Sequence, residues 1–212
     1  MLFRSGGVAR TVEVGVRCVE TRLAELAAVR RAPCSLDNLV IGTECGASDA
    51  FSGISANRVI GSAVDMIISA GGSAILSELP EMRGAEPFLL PRMKNRSVAA
   101  KFKRIMKWYE QMARRLGYSM DDNLVPENMA GGLFNPFIKS LGAVMKGGNT
   151  TIMDVLEYGE RITTPGLQIM QGPGNDLESV TGLTASGATI TCFSTGRGTV
   201  TGNAITPVIK IA

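Results

Sequence analysis

Between positions 39 and 79 the chain runs through an apolar strand, a glycine-rich loop, an amphipathic stretch, a glycine pair and a second apolar strand. No other feature constrains the fold as tightly. Leu39-Val40-Ile41-Gly42 is short and β-branched, as a buried strand requires. It opens into Glu44-Cys45-Gly46-Ala47-Ser48-Asp49, followed by Phe51-Ser52-Gly53. Residues 57–70 place Val59, Ile60, Ala63 and Ile67 at helical spacing, and Gly71-Gly72 stops that helix. Residues 73–79 read as a second buried strand, ending at Pro80. This order is a βαβ unit, with a parallel pairing and a right-handed crossover. The expected class is α/β, with a mostly parallel sheet flanked by helices. Open sheets of this kind bind ligands beyond the carboxyl ends of their strands. The loops starting at Thr43 and Glu78 should therefore lie side by side.

The flanking sequence extends the same pattern. Residues 8–31 read as an amphipathic helix with Val12, Val16, Val19, Leu23, Leu26 and Ala27 on one face, ended by Pro33. Residues 98–116 form a second long helix, with Phe102, Ile105, Met106, Tyr109 and Met112 as its apolar face. Residues 117–132 break into a polar loop carrying Asp121, Asp122, Asn123 and Asn128, long enough to suggest a functional or mobile segment. Residues 134–145 read as a helix ended by Gly147-Gly148, residues 151–158 and 167–171 as strands, and residues 176–185 as a helix capped by Asp176. A strand at 189–194 opens into Thr195-Gly196-Arg197-Gly198, and a last strand spans 207–211. The expected organisation is an amino-terminal helix at 1–37, the tail of an upstream domain, and an α/β domain at 38–212 that continues beyond the final apolar strand.

Composition narrows the chemistry. Histidine is absent, which removes Ser-His-Asp and Cys-His mechanisms and histidine-ligated zinc. Acid–base work must fall to carboxylates, lysine, cysteine, tyrosine or metal-bound water. The net charge of +3 is spread through the chain without a basic stripe interleaved with aromatics, so a nucleic-acid partner is not expected. No apolar run reaches the roughly 18 residues a membrane span needs, and no membrane partner is expected. The first residues show no secretion signal. The cysteines at 18, 34, 45 and 192 lack metal-finger spacing, and Cys18 and Cys192 read as buried thiols of a reducing, cytoplasmic compartment.

Three glycine-rich loops follow apolar strands and display ionisable groups. In the first, Glu44, Cys45, Ser48 and Asp49 offer acceptors or metal ligands where small residues let a ligand approach. The alternative is a tight strand-to-helix connection in which Asp49 and Ser55 only cap. In the second, Glu78 and Glu81 could hold a hard cation or supply a base of raised pKa, or simply be solvated. In the third, Arg197 between two glycines is suited to fork onto a carboxylate, or to tie down its own loop. Lys139 could pair with or deprotonate a substrate, or be a solvated helix lysine. Gly172-Pro-Gly-Asn-Asp176 is either an anion-friendly turn or an ordinary capped loop. Phosphate-cradling motifs are missing.

Taken in order, GTECGASDAFSGISAN, AGGSAILSELPEMRGAE, AGGL, KSLGAVMKGG, DVLEYGE, GPGNDLESVTG and FSTGRG resemble the carboxy-terminal half of one family. It is the family of altronate dehydratase, galactarate dehydratase and the large subunit of sulfolactate sulfo-lyase. The resemblance covers roughly residues 38–212. It implies a Rossmann-like domain and a divalent-metal enzyme, with Fe(II) expected and Mn(II) the alternative. The implied reaction removes a proton beside a carboxylate and expels a β-hydroxyl, or sulfite in the sulfo-lyase. The implied substrate is a small sugar acid, and the product a 2-keto-3-deoxy acid.

On this resemblance Glu44, Cys45 and Glu78 are expected as metal ligands, and Lys139, Glu81 or Asp49 as the base, with Cys45 and Ser48 also in the catalytic set. Arg197 is expected on the substrate carboxylate, with Asn57, Ser140, Thr195, Gly196 and Gly198 around the substrate. The expected partners are the amino-terminal half of such an enzyme, or a small separate subunit, and a second copy in a homodimer. The chain departs from the family's pattern at several points. Ala47 stands for a glycine, Arg58 for a proline, Pro87 for a histidine and Met129 for a lysine, and Gly202-Asn203-Ala204-Ile205 replaces Gly-Cys-Lys-Pro. A sulfolactate sulfo-lyase subunit and a non-catalytic sugar-acid-binding protein are the competing readings.

Overall fold

The computed structural model describes residues 6–212 and divides into two units, Met1–Cys34 and Ser35–Ala212. In the first, α1 (Val8–Ala28) is a single helix with no buried residue. Its exposed face carries the i,i+3 pairs Arg10–Glu13 (2.8 Å) and Arg22–Glu25 (2.6 Å). Cys18, expected to be buried, is exposed on this helix. Cys192 in the second unit is partly buried.

The second unit is a six-stranded sheet, every pairing parallel, in the order β3-β4-β2-β1-β5-β6. The strands are β1 (Val40–Cys45), β2 (Ser73–Leu76), β3 (Ile152–Leu156), β4 (Gly166–Met170), β5 (Ile190–Ser194) and β6 (Val208–Ile211). The expected α/β class holds. The pleat sends alternate residues to two different cores. Ala74 and Leu76 join one with Ile60, Val64, Phe102, Ile105 and Ile169, whereas Ile75 joins the other with Leu156, Met170 and Leu183. Helices α2 (Ala56–Ser69) and α4 (Arg96–Arg115) supply the first, and α7 (Asp176–Ser186) the second.

Helix α4 is positioned by its i,i+3,i+4 stripe of Val98, Phe102, Ile105, Met106 and Tyr109, all buried. Asn95 caps it by accepting the Val98 N–H at 3.0 Å. In α2 the stripe is Ile60 and Val64, while Val59, expected inward, is 60% exposed. The segment 117–132 is not a plain loop. A short 3-10 turn (Met120–Asp122), capped by Ser119, and α5 (Pro126–Ala130) lie within it. Proline at the first helical position starts α5, where its missing N–H costs nothing. The remaining helices are α3 (Glu86–Leu89) and α6 (Pro136–Val144). Helix α7 is entered from Asn175 rather than Asp176, without a side-chain cap.

Strand β2 stops at Leu76, short of the expected Leu79. Glu78 takes a left-handed backbone (φ 60, ψ 47), which no strand can continue. Register pairs Thr43 of β1 with both Leu76 of β2 and Cys192 of β5, so the segments leaving all three strands emerge together at one edge of the sheet. Gly46 N–H donates to Ser194 O (3.1 Å) and Gly196 N–H to Ala47 O (3.2 Å), fastening two of these segments to each other.

Candidate active site

Burial dominates the chemistry at this edge. Glu78 is 1% exposed, and its left-handed backbone costs about 1–2 kcal/mol for a residue with a Cβ. Its carboxylate is fixed from several directions. Oε2 accepts the Cys45 backbone N–H at 3.0 Å and the Lys146 ammonium at 2.6 Å, and the Cys45 Sγ lies 3.5 Å from Oε1. Lys146 is fully buried, on a 3-10 turn (Met145–Gly147) that closes α6. Gly61 of α2 lets that turn approach, since a Cβ there would lie 2.1 Å from Met145 O. Asp65 accepts the Asn149 N–H at 2.8 Å, and Arg92 donates to Gly147 O at 3.1 Å, completing the clamp.

Glu81 sits on the 3-10 turn Leu79–Met82, 5% exposed. Its Oε1 pairs with the Lys139 ammonium at 3.0 Å, while Oε2 is buried without a hydrogen-bond partner. Lys139 also donates to Asn123 O (2.9 Å) and Oδ1 (3.2 Å), so its three protons are all engaged. Glu44 lies apart from both pairs. Its Oε2 is 2.6 Å from Ser77 Oγ and in short contact with Ser179 Oγ, and the two hydroxyls are 2.9 Å apart. The Ser77 hydroxyl also reaches Thr43 O at 2.8 Å, so two serine protons serve four contacts around this triangle, and a proton on Glu44 supplies a third.

Burial, then the Glu78 charge, raises Glu44 well above the usual carboxylate range. The same two causes raise Glu81 and keep the Cys45 thiol protonated. Burial pulls Lys146 down, but Cys45, Glu78 and Glu44 outweigh it and hold the ammonium above its ordinary range.

Above this nest opens a cleft of about 430 Å³, within the size range of small-molecule sites. Cys45, Ser48, Asp49, Asn57 and Lys139 line it, with apolar residues such as Leu133, Ile138 and Leu141. Asp49 Oδ1 accepts the Ser52 N–H (2.8 Å) and hydroxyl (2.9 Å). The Asp49 carboxyl lies against Gly196, where a Cβ would sit 2.4 Å from Oδ2, so a side chain at 196 is excluded.

Cys45 Sγ and one oxygen each of Glu78 and Glu81 lie within 4.8 Å of one another, the only such group among the described residues. A thiol that a bound cation would deprotonate, with two carboxylates, suits iron or manganese, and the unpartnered Glu81 oxygen is a buried acceptor such an ion would satisfy. The residues therefore fit the divalent cation that the sequence resemblance implies.

Residues 36–212 match the family described as D-galactarate/altronate dehydratase, C-terminal. The chain belongs to this family. It is 38% identical over 210 residues to altronate dehydratase of Bacillus subtilis (strain 168), covering 99% of this chain and 42% of that protein. It is 37% identical over 206 residues to galactarate dehydratase (L-threo-forming) of Escherichia coli (strain K12), covering 97% and 39%. The (2R)-sulfolactate sulfo-lyase subunit beta of Chromohalobacter salexigens is 36% identical over 186 residues, covering 86% and 48%. The chain thus spans less than half the length of these curated relatives.

Within this member of the D-galactarate/altronate dehydratase family, the residues expected from sequence are brought together only in part. Cys45, Glu78 and Glu81 converge, with Lys139 paired to Glu81 and Ser48 and Asp49 on the cleft wall. Glu44, expected as a ligand, stands outside that group in its serine pocket. Asn57 lines the cleft with its amide already engaged, Nδ2 to Gly142 O (2.9 Å) and Oδ1 to Ser194 Oγ (2.5 Å). Ser140 donates to Pro136 O and lines a neighbouring cleft, not this one. Thr195 is buried and accepts the Gly198 N–H at 3.0 Å, shaping the loop that exposes Gly196, Arg197 and Gly198.

Sequence reasoning missed Lys146, Ser77 and Ser179. The available signal for Lys146 was a lysine wedged between a helix end and Gly147-Gly148, where the chain turns too sharply for a casual surface position.

Proposed function

We propose that this chain supplies the metal-holding half of a sugar-acid dehydratase site. The observation that carries the reading is the convergence of Cys45, Glu78 and Glu81 beside a cleft walled by Asp49. Dehydration takes a proton from the carbon next to a carboxylate and expels the β-hydroxyl as water, and the enol left behind tautomerises to a 2-keto-3-deoxy acid. Cys45, Glu78 and Glu81 would hold a divalent cation, Fe(II) or Mn(II), which would supply Lewis-acid stabilisation of the developing negative charge.

The chain's own groups do the rest. Asp49 takes the α-proton, because it lines the cleft with one oxygen pinned by Ser52 and Oδ2 free of any hydrogen bond among the described residues. The same carboxyl returns that proton to the departing hydroxyl. Lys139 is not the base: all its protons are donated, and it steadies Glu81. Arg197, with no acidic partner among the described residues, takes the substrate carboxylate. The remainder of the site comes from an amino-terminal portion such as the relatives possess, or from a separate small subunit.

The test is an anaerobic, Fe(II)-supplemented assay for 2-keto acid from altronate and galactarate. It is run on the chain supplied with the amino-terminal portion of a family member. Product formation that falls by at least about 10²-fold in Asp49→Asn is expected. Sulfite release from sulfolactate instead moves the reading to the sulfo-lyase. Folded, metal-loaded protein that acts on none of the three overturns it.

A further inference from the structure

The acid pair behind Cys45 and Lys139 of the cleft wall is electrically complete before any cation arrives. Glu78 has the Lys146 ammonium at 2.6 Å and Glu81 has the Lys139 ammonium at 3.0 Å, one positive charge for each carboxylate. A divalent cation entering among Cys45, Glu78 and Glu81 must therefore meet two ammonium groups at close quarters, in a region with little water to screen them. The two lysines differ in their freedom to yield. Lys146 has 0% side-chain exposure and the Glu78 carboxylate as its ion partner, and among the described residues its ammonium donates to no backbone carbonyl. Lys139 has 12% side-chain exposure at the cleft wall, and two of its three acceptors belong to Asn123 rather than to the acid pair.

We infer that Lys139 and Lys146 are resident counter-cations, and that Lys139 is the exchangeable one, which a divalent cation displaces from Glu81 onto Asn123. Lys146 stays on Glu78 throughout. Cation affinity is then set by a competitor built into α6. Occupancy is linked to the segment that carries Asn123, because Lys139 anchors more firmly there once it has left Glu81. The identity of the visiting ion rests on the dehydratase reading; the competition itself rests on the pairing.

The experiment is a titration of this chain with Mn(II), following free ion by electron paramagnetic resonance, so that no catalytic step is read. Lys139→Met removes the competing charge and should bind Mn(II) at least about tenfold more tightly than the unaltered chain. Lys139→Gln, which keeps a donor for Asn123 without the charge, should tighten binding to a similar degree. Glu81→Gln should weaken binding at least about tenfold, since a ligand is lost. Equal or weaker binding in both lysine variants overturns the inference while leaving the dehydratase reading standing. Tightening in Lys139→Met but not in Lys139→Gln also overturns it, by assigning the effect to release of the Asn123 segment. If neither the unaltered chain nor either lysine variant binds Mn(II), the inference and the metal-dependent reading fall together.

Discussion

Two segments leave neighbouring strands at the same edge of the sheet, and they have opposite fates. The segment after β2 is locked: Glu78 is buried, held by Cys45 and Lys146, and kept in a backbone conformation that few non-glycine residues adopt. The segment after β5 is open: Gly196, Arg197 and Gly198 are exposed, and no acidic group pairs with Arg197 among the described residues. Both sit where open α/β sheets place their ligands. On the proposed dehydratase reading, the difference is one of division of labour. Groups that hold a fixed cation need a rigid, dry frame, whereas a group that meets a substrate carboxylate must stay accessible until the substrate arrives.

Removing one charge from each segment tests that contrast most directly. Lys146→Met strands the Glu78 carboxylate in the interior and should cost about 3–5 kcal/mol of stability. Arg197→Ala takes away an exposed side chain and should change stability by no more than about 0.5 kcal/mol. Urea unfolding of the two variants beside the unaltered chain measures both. Similar losses in the two would erase the distinction between a locked and an open segment.

What the sequence revealed follows the same line. The β-branched run at 39–42, the glycine pair at 71–72 and the apolar stripe of α4 are local patterns, and they placed the βαβ unit and the parallel sheet correctly. The end of β2 was misplaced because no glycine or proline interrupts the chain between Ser73 and Pro80, while the stop comes from a backbone angle that composition does not encode. Cys45, Asp49, Glu78 and Glu81 were legible as candidates because glycines and strand ends frame them. Their pairing was not. Lys146 meets Glu78 across 68 positions of sequence and Ser179 meets Glu44 across 135, and a lysine or serine is ordinarily a solvated residue. Burial of a charge is a property of its partner, which only the folded chain supplies.

A second prediction sharpens the account of the locked region. Glu44 is raised above its ordinary value of 4.5 by burial and by the Glu78 charge. Above that value the unfolded chain releases this proton while the folded chain keeps it, so the folded state binds more protons. Stability from this group is full below about pH 4.5 and is lost as pH rises toward the folded-state value. Glu44→Gln keeps the shape of a neutral carboxyl and removes the titration. It should match the unaltered chain near pH 4 and exceed it increasingly toward pH 7. Parallel stability curves for the two proteins would show Glu44 to be ionised and the serine triangle to be filled otherwise.

The smallest expected effect compares two residues that share a backbone conformation but not a role. Ala47 (φ 51) and Glu78 (φ 60) are the non-glycine residues with positive φ among those described. Ala47 is exposed, and its side chain makes no hydrogen bond that could offset the strain. Ala47→Gly should relieve about 1–2 kcal/mol of left-handed strain. It also adds about 0.4–1 kcal/mol of freedom to the unfolded chain. The net gain is about 0.5–1 kcal/mol, a rise of roughly 1–4 °C in Tm for a chain of this size. Glu78→Gly relieves the same strain but leaves the Lys146 ammonium buried without its partner, so it should destabilise despite the easier backbone. Opposite signs for the two glycine variants would mean that strain at 78 is maintained by the ion pair and that strain at 47 is not. A gain in both would mean that Lys146 finds another acceptor, and that the nest is less committed to Glu78 than its geometry implies.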